Sequence, residues 1–552
     1  MAPRRFVSSM RDPVAIAALV VLAMVVVSLL VGLLVPVYTD EIAWRMMLAR
    51  STLDGGVDRG LSDQCGPGTA LAAPLFMQPI RHLSAWIAIH FPDPRAVRIS
   101  GVALALVWVA LFWRLTRFLD DELRAAGRTI GLSLIGLGVL PFLLVWSRPE
   151  RPLLIVYTLL LTIALKGRMT RDPTPRYQAW GWAIAVGALG LVALSYHPKA
   201  IAFMPIPLIA AAFSSRGRAA RPARIAAIVV LVLCTPVASR YWGSRFACPA
   251  DAGLGAMLAR ENVASKIDKQ APLASAQLLA QSAVPWRYVK LAAPSTDYGY
   301  MSGWLPTVSF PPALNLAWRI ASRAPWYAAI GATFALLVAG LIATTRRGTK
   351  DPRLALALVV TGTCALWSAL QLNKNAYESS MLLPLAAIAL ILALSAAPRS
   401  LRRPVILCAM PLAAVTMMSQ LLLLGIYGTA LAAVSARPGP IAGQPYSYVP
   451  WGYPELRGEI VAAARACALD PVRGRQVLVD DLTYFPMIRS REPINRMTVF
   501  GPWYGNFGDQ VGYLRTHASG AILACVYLSP GARAQARRIG RFCCLGPWGA
   551  AH

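Results

Sequence analysis

Residues 13–41 read PVAIAALVVLAMVVVSLLVGLLVPVYTDE, an apolar run that ends at a proline and is followed by two adjacent carboxylates. No charge interrupts the run from Pro13 to Pro36, and a helix of that length crosses the hydrocarbon core of a bilayer. A short basic start precedes it, as in a signal sequence, but no small-residue cleavage site follows. We therefore expect an uncleaved first transmembrane helix with Asp40 and Glu41 just beyond its end.

Similar apolar runs recur along the whole chain. Of the 552 residues, 57% are hydrophobic and only 14% are charged, which excludes an ordinary soluble enzyme. The sequence predicts an α-helical polytopic membrane protein with about eleven transmembrane helices. The predicted spans are residues 13–36, 98–117, 129–146, 152–166, 179–195, 200–214, 224–242, 324–345, 353–371, 380–397 and 404–432.

The positions of the basic residues support this threading. Lys and Arg total 54 against 25 Asp and Glu, a formal charge of +29 that in a soluble protein would suggest nucleic acid. Here the cations gather in every second turn between the predicted spans, which is the pattern of cytoplasmic turns in membrane proteins. We therefore expect the partner to be a lipid bilayer and not nucleic acid. The residues concerned are Arg114, Arg117, Arg124 and Arg128; Lys166, Arg168, Arg171 and Arg176; Arg216, Arg218, Arg221 and Arg224; Arg346, Arg347, Lys350 and Arg353; and Arg399, Arg402 and Arg403.

Three large segments then fall on the side of the membrane away from the cytoplasm, which we call the outer side. They are residues 37–97, residues 243–322 and everything after about 433. We divide the chain into a transmembrane module, 1–432, and a small outer α/β domain, 433–552. The domain is predicted from an amphipathic helix near Glu455–Ala468 and from strand-like runs at Gln476–Leu482 and Ala521–Leu528. Six of the nine cysteines map to the outer side, where disulfides form, but their connectivity is open.

The acidic pair Asp40–Glu41 has two interpretations. Thr39 or Asp40 could cap a helix that runs through Ile42 to Leu53, with the acids favoured by the helix dipole. A carboxylate held at a helix start is also positioned to take a proton from an incoming hydroxyl. Capping and catalysis are compatible, and we interpret Asp40 as a candidate general base.

Three outer turns carry cations. The turn Ser147-Arg-Pro-Glu-Arg151 holds Arg148 and Arg151, which suit a phosphate or are interfacial anchors, and Glu150, which gains nothing from the interface. Two further turns are Tyr196-His-Pro-Lys199 and Asn373-Lys-Asn-Ala-Tyr-Glu378. The candidates there are Lys199 and Lys374 as phosphate ligands, His197 as a proton carrier or a structural residue, and Tyr377 as a stacking partner or an anchor.

The acidic pair behind the first span, the large first outer loop, the polar outer turns and the outer C-terminal domain together resemble the GT-C superfamily of membrane glycosyltransferases. The resemblance is to bacterial relatives of protein O-mannosyltransferases and of the lipid A aminoarabinose transferase. It implies a sugar donor on polyprenyl phosphate and direct displacement at the anomeric carbon with inversion.

The resemblance also implies roles for individual residues. Asp40 would be the catalytic base, and Glu41 would hold the acceptor or orient Asp40. The departing lipid phosphate would be bound by Arg148, Arg151, Lys199 and Lys374, and substrate by Glu150, His197 and Tyr377. A divalent cation, Mg²⁺ or Mn²⁺, stays open because Asp40, Glu41 and Glu150 provide few oxygen ligands.

Two other classes of function compete with the enzyme. A transporter or flippase for a lipid-linked glycan predicts ionisable residues deep in several spans, whereas the charges here gather at the surfaces. A non-catalytic protein that binds a lipid-linked glycan would carry the same binding residues. The acceptor is a glycan, a lipid or a protein, and the Ala, Arg and Pro richness indicates a bacterial inner membrane with a periplasmic site.

Overall fold

The computed structural model describes most of the membrane part and parts of the C-terminal region. The described residues are 12–38, 41–42, 44–45, 48–49, 57–58, 71–170, 172–246, 266–268, 270–283, 286–292, 308, 311–347, 351–371, 376–436, 451–469, 477–480, 482–488, 495–496, 511–512, 515 and 519–548.

Helices dominate the chain up to residue 436. They are α1 (Pro13–Val31), α2 (Gln78–His90), α3 (Pro94–Leu115), α4 (Asp121–Ile135), α5 (Leu140–Leu144), α6 (Glu150–Met169), α7 (Arg176–Tyr196), α8 (Lys199–Ala202), α9 (Pro205–Phe213), α10 (Arg221–Phe246), α11 (Pro272–Ala283), α12 (Trp286–Ala292), α13 (Pro312–Arg347), α14 (Pro352–Leu370), α15 (Ala376–Ala396), α16 (Arg399–Leu407), α17 (Ala409–Leu422) and α18 (Thr429–Ser435). A two-stranded ribbon joins β1 (Val57–Asp58) and β2 (Leu71–Ala72).

Nine stretches of helix within the described ranges are long and apolar enough to cross a membrane, so the chain is a multi-pass membrane protein. They are Pro13–Leu34, Pro94–Phe118, Glu150–Met169, Arg176–Tyr196, Arg221–Ser244, Pro312–Arg346, Pro352–Leu370, Ala376–Ala396 and Arg399–Ser435.

The other two predicted spans, 129–146 and 200–214, are broken helices. The first divides into α4 and α5 around Gly138, whose φ of +60° lies in the left-handed region that ends a helix. The second divides into α8 and α9 at Pro205, which has no amide hydrogen to continue the ladder. Hydropathy located both segments but did not reveal the break within each of them.

Side chains replace the backbone hydrogen bonds that the first break removes. Gln420 Nε2 donates to the Gly136 carbonyl oxygen, and the Gly138 amide donates to Ser419 Oγ at 3.0 Å. Trp318 Nε1 donates to the same hydroxyl at 3.1 Å. Such replacement is what allows irregular backbone to persist within a membrane protein.

An ion cluster marks one end of the bundle. Asp120, which follows α3, pairs with Arg353 at 2.7 Å and with Arg402 at 2.8 Å. Burial raises the pKa of the Asp120 carboxyl, but the hydrogen bonds and charges of both arginines outweigh burial and leave the pKa below its usual value. Three turns predicted to share one side therefore meet at one end.

The C-terminal part contains a small sheet beside a helix. Its elements are α19 (Tyr453–Ala466), β3 (Val477–Val479), α20 (Tyr484–Met487), β4 (Asn495–Arg496), β5 (Gly520–Ala524), α21 (Pro530–Gln535), β6 (Arg537–Ile539) and β7 (Phe542–Leu545). The strand order is β4-β3-β5-β7-β6, with β3 parallel to β4 and β5, and β7 antiparallel to its neighbours. The predicted helix and both predicted strands are present, and β4, β6 and β7 were not anticipated.

Two disulfides leave β7 in opposite directions. Cys544 is bonded to Cys467 beside α19, and Cys543 is bonded to Cys525 after β5. Successive side chains on a strand point to opposite faces of the sheet. The two bridges therefore fasten the two faces of the sheet separately, and they give the connectivity of four of the six cysteines that were predicted to lie on the outer side.

The segment predicted to be the first outer loop shares one apolar core with the C-terminal part. Val37, Ile42 and Val97 are fully buried in the same cluster as Tyr453 and Leu456 of α19. All five side chains are 0% exposed. The segment that carries the acidic pair is therefore packed against the C-terminal part as well as against the membrane helices.

Candidate active site

Glu41 is held by charge and by backbone amides. Its Oε2 accepts hydrogen bonds from Arg98 Nη2 and from the Tyr38 amide, both at 2.8 Å, and its Oε1 accepts from the Ser147 amide at 2.5 Å. The Glu41 and Arg98 side chains are 0% and 1% exposed. Both oxygens of Glu41 are thus engaged, Oε2 in a buried ion pair with Arg98 and Oε1 by a backbone amide.

Arg98 joins the end of the first span to the turn before α6. Besides Glu41 it donates to the carbonyl oxygens of Val35 at 2.9 Å, Pro36 at 2.6 Å and Val145 at 2.6 Å. One turn along α3, a Cβ on Gly101 would meet the Val145 carbonyl oxygen at 1.8 Å. The helix lies directly on the backbone of this turn because position 101 has no side chain.

A helix begins at Glu41, while Thr39 and Asp40, the residues expected to cap it, lie outside the described residues. The Glu41 amide donates to the Tyr38 carbonyl oxygen at 2.9 Å, while the Glu41 carboxylate bonds back to the Tyr38 amide. The Glu41 carboxylate bonds back to the amide three residues earlier, as the acidic residue of a capping box does, while the Tyr38 carbonyl takes the place of the capping side chain. Asp40 itself lies outside the described residues, but Tyr38 and Glu41 on either side of it are fixed.

Arg45 is a site residue that sequence reasoning missed. Its side chain is 8% exposed and donates to Ser147 Oγ at 3.2 Å and to Ser100 Oγ at 3.3 Å. The two hydroxyls lie 2.9 Å apart. Arg45 comes one helical turn after Glu41, and that spacing was the available signal.

A second buried cluster adjoins the first through the Ser147–Arg151 turn. Lys199 Nζ contacts Glu150 Oε1 and lies 3.3 Å from Glu378 Oε1. Arg148 Nε donates to Glu150 Oε2 at 3.2 Å. We call Arg148, Glu150, Lys199, Tyr377 and Glu378 the Lys199 cluster. It unites residues of three predicted outer turns.

Aromatic rings complete the Lys199 cluster. The Arg148 guanidinium carbon lies 3.7 Å from the centre of the Tyr377 ring, and Lys199 Nζ lies 4.6 Å from it. Tyr288 donates from its hydroxyl to Glu378 Oε2 at 3.0 Å. Burial, together with the Glu378 carboxylate, raises the pKa of Tyr288 well above its usual value, so the phenol keeps its proton.

The remaining predicted site residues are Arg151, His197 and Lys374. Arg151 is 1% exposed and donates through Nη2 to the Ser380 carbonyl oxygen at 2.5 Å. Its Nε and Nη1 have no hydrogen-bond partner among the described residues. His197 Nδ1 accepts from the Lys199 amide at 3.2 Å. Lys374 lies outside the described residues.

Cations outnumber carboxylates among the described residues of the candidate site. Arg45, Arg98, Arg148, Arg151 and Lys199 give five positive charges, and Glu41, Glu150 and Glu378 give three negative ones, which leaves +2. Asp40 and Lys374 cancel each other if they are included. A phosphate group at this end of the bundle would therefore meet a net positive charge.

The described residues contain no group of three or more His, Cys, Asp or Glu that could hold a metal ion. Glu150 and Glu378 do approach each other, but Lys199 occupies the position between them. The question of a divalent cation at Asp40 depends on residues outside the described ranges.

No family model matches the chain, and no curated protein matches it. Among solved structures it is similar to ArnT from Cupriavidus metallidurans bound to undecaprenyl phosphate, with a TM-score of 0.45 and 11% identity over 95% of this chain and 97% of that one. It is also similar to the archaeal oligosaccharyltransferase AglB from Archaeoglobus fulgidus in complex with an inhibitory peptide and a dolichol-phosphate, with a TM-score of 0.41 and 10% identity over 92% and 69% of the two chains. These values assign neither a family nor a substrate.

Proposed function

We propose that the chain is a GT-C-type membrane glycosyltransferase that moves a sugar from a polyprenyl-phosphate-linked donor to an acceptor hydroxyl on the periplasmic side of a bacterial inner membrane. One observation carries the proposal. The Ser147–Arg151 turn binds the Glu41 carboxylate through its first amide and contributes Arg148 and Glu150 to the Lys199 cluster. In this proposal, a base next to Glu41 and a cation cluster for phosphate belong to one site.

The division of charge fits a displacement reaction. In the proposed step the acceptor oxygen attacks the anomeric carbon, the bond from that carbon to the phosphate oxygen breaks, and Asp40 takes the hydroxyl proton. The leaving phosphate gains negative charge, which nearby cations stabilise. The +2 excess at this end of the bundle supplies that stabilisation.

The cations have unequal roles in this proposal. Arg148 is the more accessible of the two cations in the Lys199 cluster, with 10% of its side chain exposed against 6% for Lys199, and is the residue we assign to direct contact with the phosphate. Lys199 is bonded to two carboxylates and stacked over Tyr377, so we assign it to holding Glu150 and Glu378 in place. Glu41, with both oxygens engaged, positions the helix start beside Asp40.

Release of undecaprenyl phosphate from an undecaprenyl-phosphate sugar tests the proposal. The purified chain is reconstituted in lipid nanodiscs and given a panel of hexosyl and pentosyl donors with glycan, lipid and peptide acceptors. Asp40→Asn is expected to lower turnover by about 10²-fold or more, as for loss of a general base. Asp268→Asn is the matched control, because that carboxylate caps a local turn through the Gln270 amide.

Equal turnover in the two variants would remove Asp40 from the mechanism. Transport of an intact lipid-linked glycan across the nanodisc or vesicle membrane, with no cleavage of its phosphate bond, would establish the flippase alternative instead. Retained donor binding without turnover in the unmodified chain would indicate a non-catalytic binding protein.

A further inference from the structure

Three arginines converge at the end of the bundle opposite the candidate active site. Arg168 lies in the last turn of α6, Arg216 in the turn after α9, and Arg224 in the first turn of α10. Arg168 Nη2 and Arg224 Nη1 donate to the same carbonyl oxygen, that of Ala212, at 3.2 and 3.4 Å. Arg216 Nη1 donates to the Thr170 carbonyl oxygen at 3.4 Å. We call this the arginine site.

Close backbone packing holds the arginine site together. A Cβ on Gly167 would meet the Phe213 carbonyl oxygen at 2.4 Å, so the ends of α6 and α9 touch. Gly217 has a φ of +98°, a conformation that turns the chain sharply between Arg216 and Arg218. The three guanidinium groups are therefore placed by the fold.

The helix ends nearby do not neutralise these cations. Each C-terminus carries about half a negative charge, so α6 and α9 together offset roughly one of the three positive charges. The sequence adds little more, since residues 166–176 and 214–224 contain eight Lys or Arg and a single acid, Asp172. About two positive charges of the arginine site remain uncompensated.

In a neighbouring cluster at the same end, by contrast, the arginines are paired with carboxylates. There Asp120, Glu122 and Asp351 pair with Arg353 and Arg402, so each cation has a carboxylate partner. Within the described part of the chain, Arg168, Arg216 and Arg224 form no ion pair, and Arg168 is repelled by the other two. The three arginines of the arginine site are therefore held close to one another without a carboxylate partner in the described part of the chain.

Buried hydrogen-bond donors without a partner among the described residues lie on two of these arginines and on a neighbouring serine. Arg168 Nε and Arg224 Nε are buried and make no hydrogen bond within the described residues. The same holds for the hydroxyl of Ser215, a residue that is 0% exposed and adjoins Arg216. Buried donors without acceptors are costly, and an anion bound at the arginine site would satisfy them.

We propose that the arginine site binds the phosphate of an anionic phospholipid in the leaflet at this end of the bundle. Guanidinium groups bind phosphate oxygens through paired hydrogen bonds, and basic pockets between transmembrane helices bind lipid headgroups in this way. Free phosphate has the same chemistry, but Met169 and Ile225 adjoin the arginines with exposed fractions of 40% and 48%. Apolar side chains at the rim suit the acyl chains of a lipid.

Native mass spectrometry of the full chain, released from detergent after addition of phosphatidylglycerol, tests the proposal without reference to any enzymatic activity. Arg168→Gln combined with Arg224→Gln is expected to weaken binding of the retained lipid by at least about tenfold. Arg176→Gln combined with Arg221→Gln removes the same charge from exposed positions of the same face, and is expected to leave the retained lipid in place.

Equal loss in both double variants would overturn the proposal, because it would show diffuse attraction to the whole basic face. Full displacement of the lipid by millimolar inorganic phosphate would also overturn it, since the site would then select a free anion. If the Gln pair fails to fold, Arg168→Lys with Arg224→Lys decides. That pair keeps the charge but loses the paired bonds, so weaker lipid binding supports the site and unchanged binding refutes it.

Discussion

Replacement of Lys199 by Met should destabilise the fold strongly, because it removes the cation between two buried carboxylates. Met keeps an unbranched chain that can pack on Tyr377 but has no charge. Unit charges at the 3.3 Å separation of Lys199 Nζ and Glu378 Oε1 attract by about 5 kcal/mol at an effective dielectric constant of 20. Removal of one partner from a buried pair costs about 3–5 kcal/mol, so we expect a loss in that range.

Urea-induced unfolding of the purified chain in mixed micelles measures the loss. Lys290→Met is the matched control, since Lys290 is exposed on α12, and should change stability by less than about 0.5 kcal/mol. Adding Glu378→Gln to Lys199→Met should restore at least about 1 kcal/mol, because the uncompensated charge is then gone. If the Lys199 variant is as stable as the Lys290 variant, or if the double variant is simply additive, the cluster does not hold the outer turns together.

Three further changes have expected outcomes. Glu41→Gln should destabilise by about 3 kcal/mol in the same unfolding assay, since its buried ion pair is broken; a loss below about 1 kcal/mol would contradict the anchoring role. Replacement of both cysteines of the Cys467–Cys544 bridge by serine should lower the free energy of unfolding by about 4.5 kcal/mol, and the same change at Cys525–Cys543 by about 3 kcal/mol. The first loss is larger because that bridge closes a segment of 77 residues and the second a segment of 18. The reverse order would refute this argument from loop entropy. The pKa of Asp120 in the folded protein lies below its unfolded value of about 4, so the stabilisation by its ion pairs is present above that pH and is lost as the pH falls. Asp120→Asn should therefore make the free energy of unfolding less dependent on pH in this acidic range. An unchanged pH dependence would count against the pairing.

Hydropathy and charge alternation were sufficient to predict most of the membrane part. Nine of the eleven expected spans are helices of sufficient length within the described residues. The two exceptions depend on local backbone chemistry at Gly138 and Pro205, which a window of average hydropathy does not register. In the C-terminal part, β7 was missed because Phe542–Leu545 is too short for a clear alternation of apolar and polar residues.

The site was only partly accessible to sequence reasoning. The outer turns pointed to Arg148, Glu150 and Lys199, but Glu378 is separated from Glu150 by more than 200 positions, and only the fold brings both to one lysine. Arg98 was overlooked as part of an apolar span, although a charge near the end of such a span is itself a signal. The roles of Asp40 and Lys374 stay predictions, because both residues lie outside the described ranges.

The redox state of the adjacent cysteines of β7 would show on which side of the membrane the C-terminal part lies. Cys543 and Cys544 each need a distant partner, and both bonds form and persist only where thiols are oxidised. Thiol alkylation in intact cells, before any reducing agent is added, would therefore read out which compartment receives the end of the chain, without a fusion tag. Four protected thiols place it outside the cytoplasm, and four reactive ones place it inside.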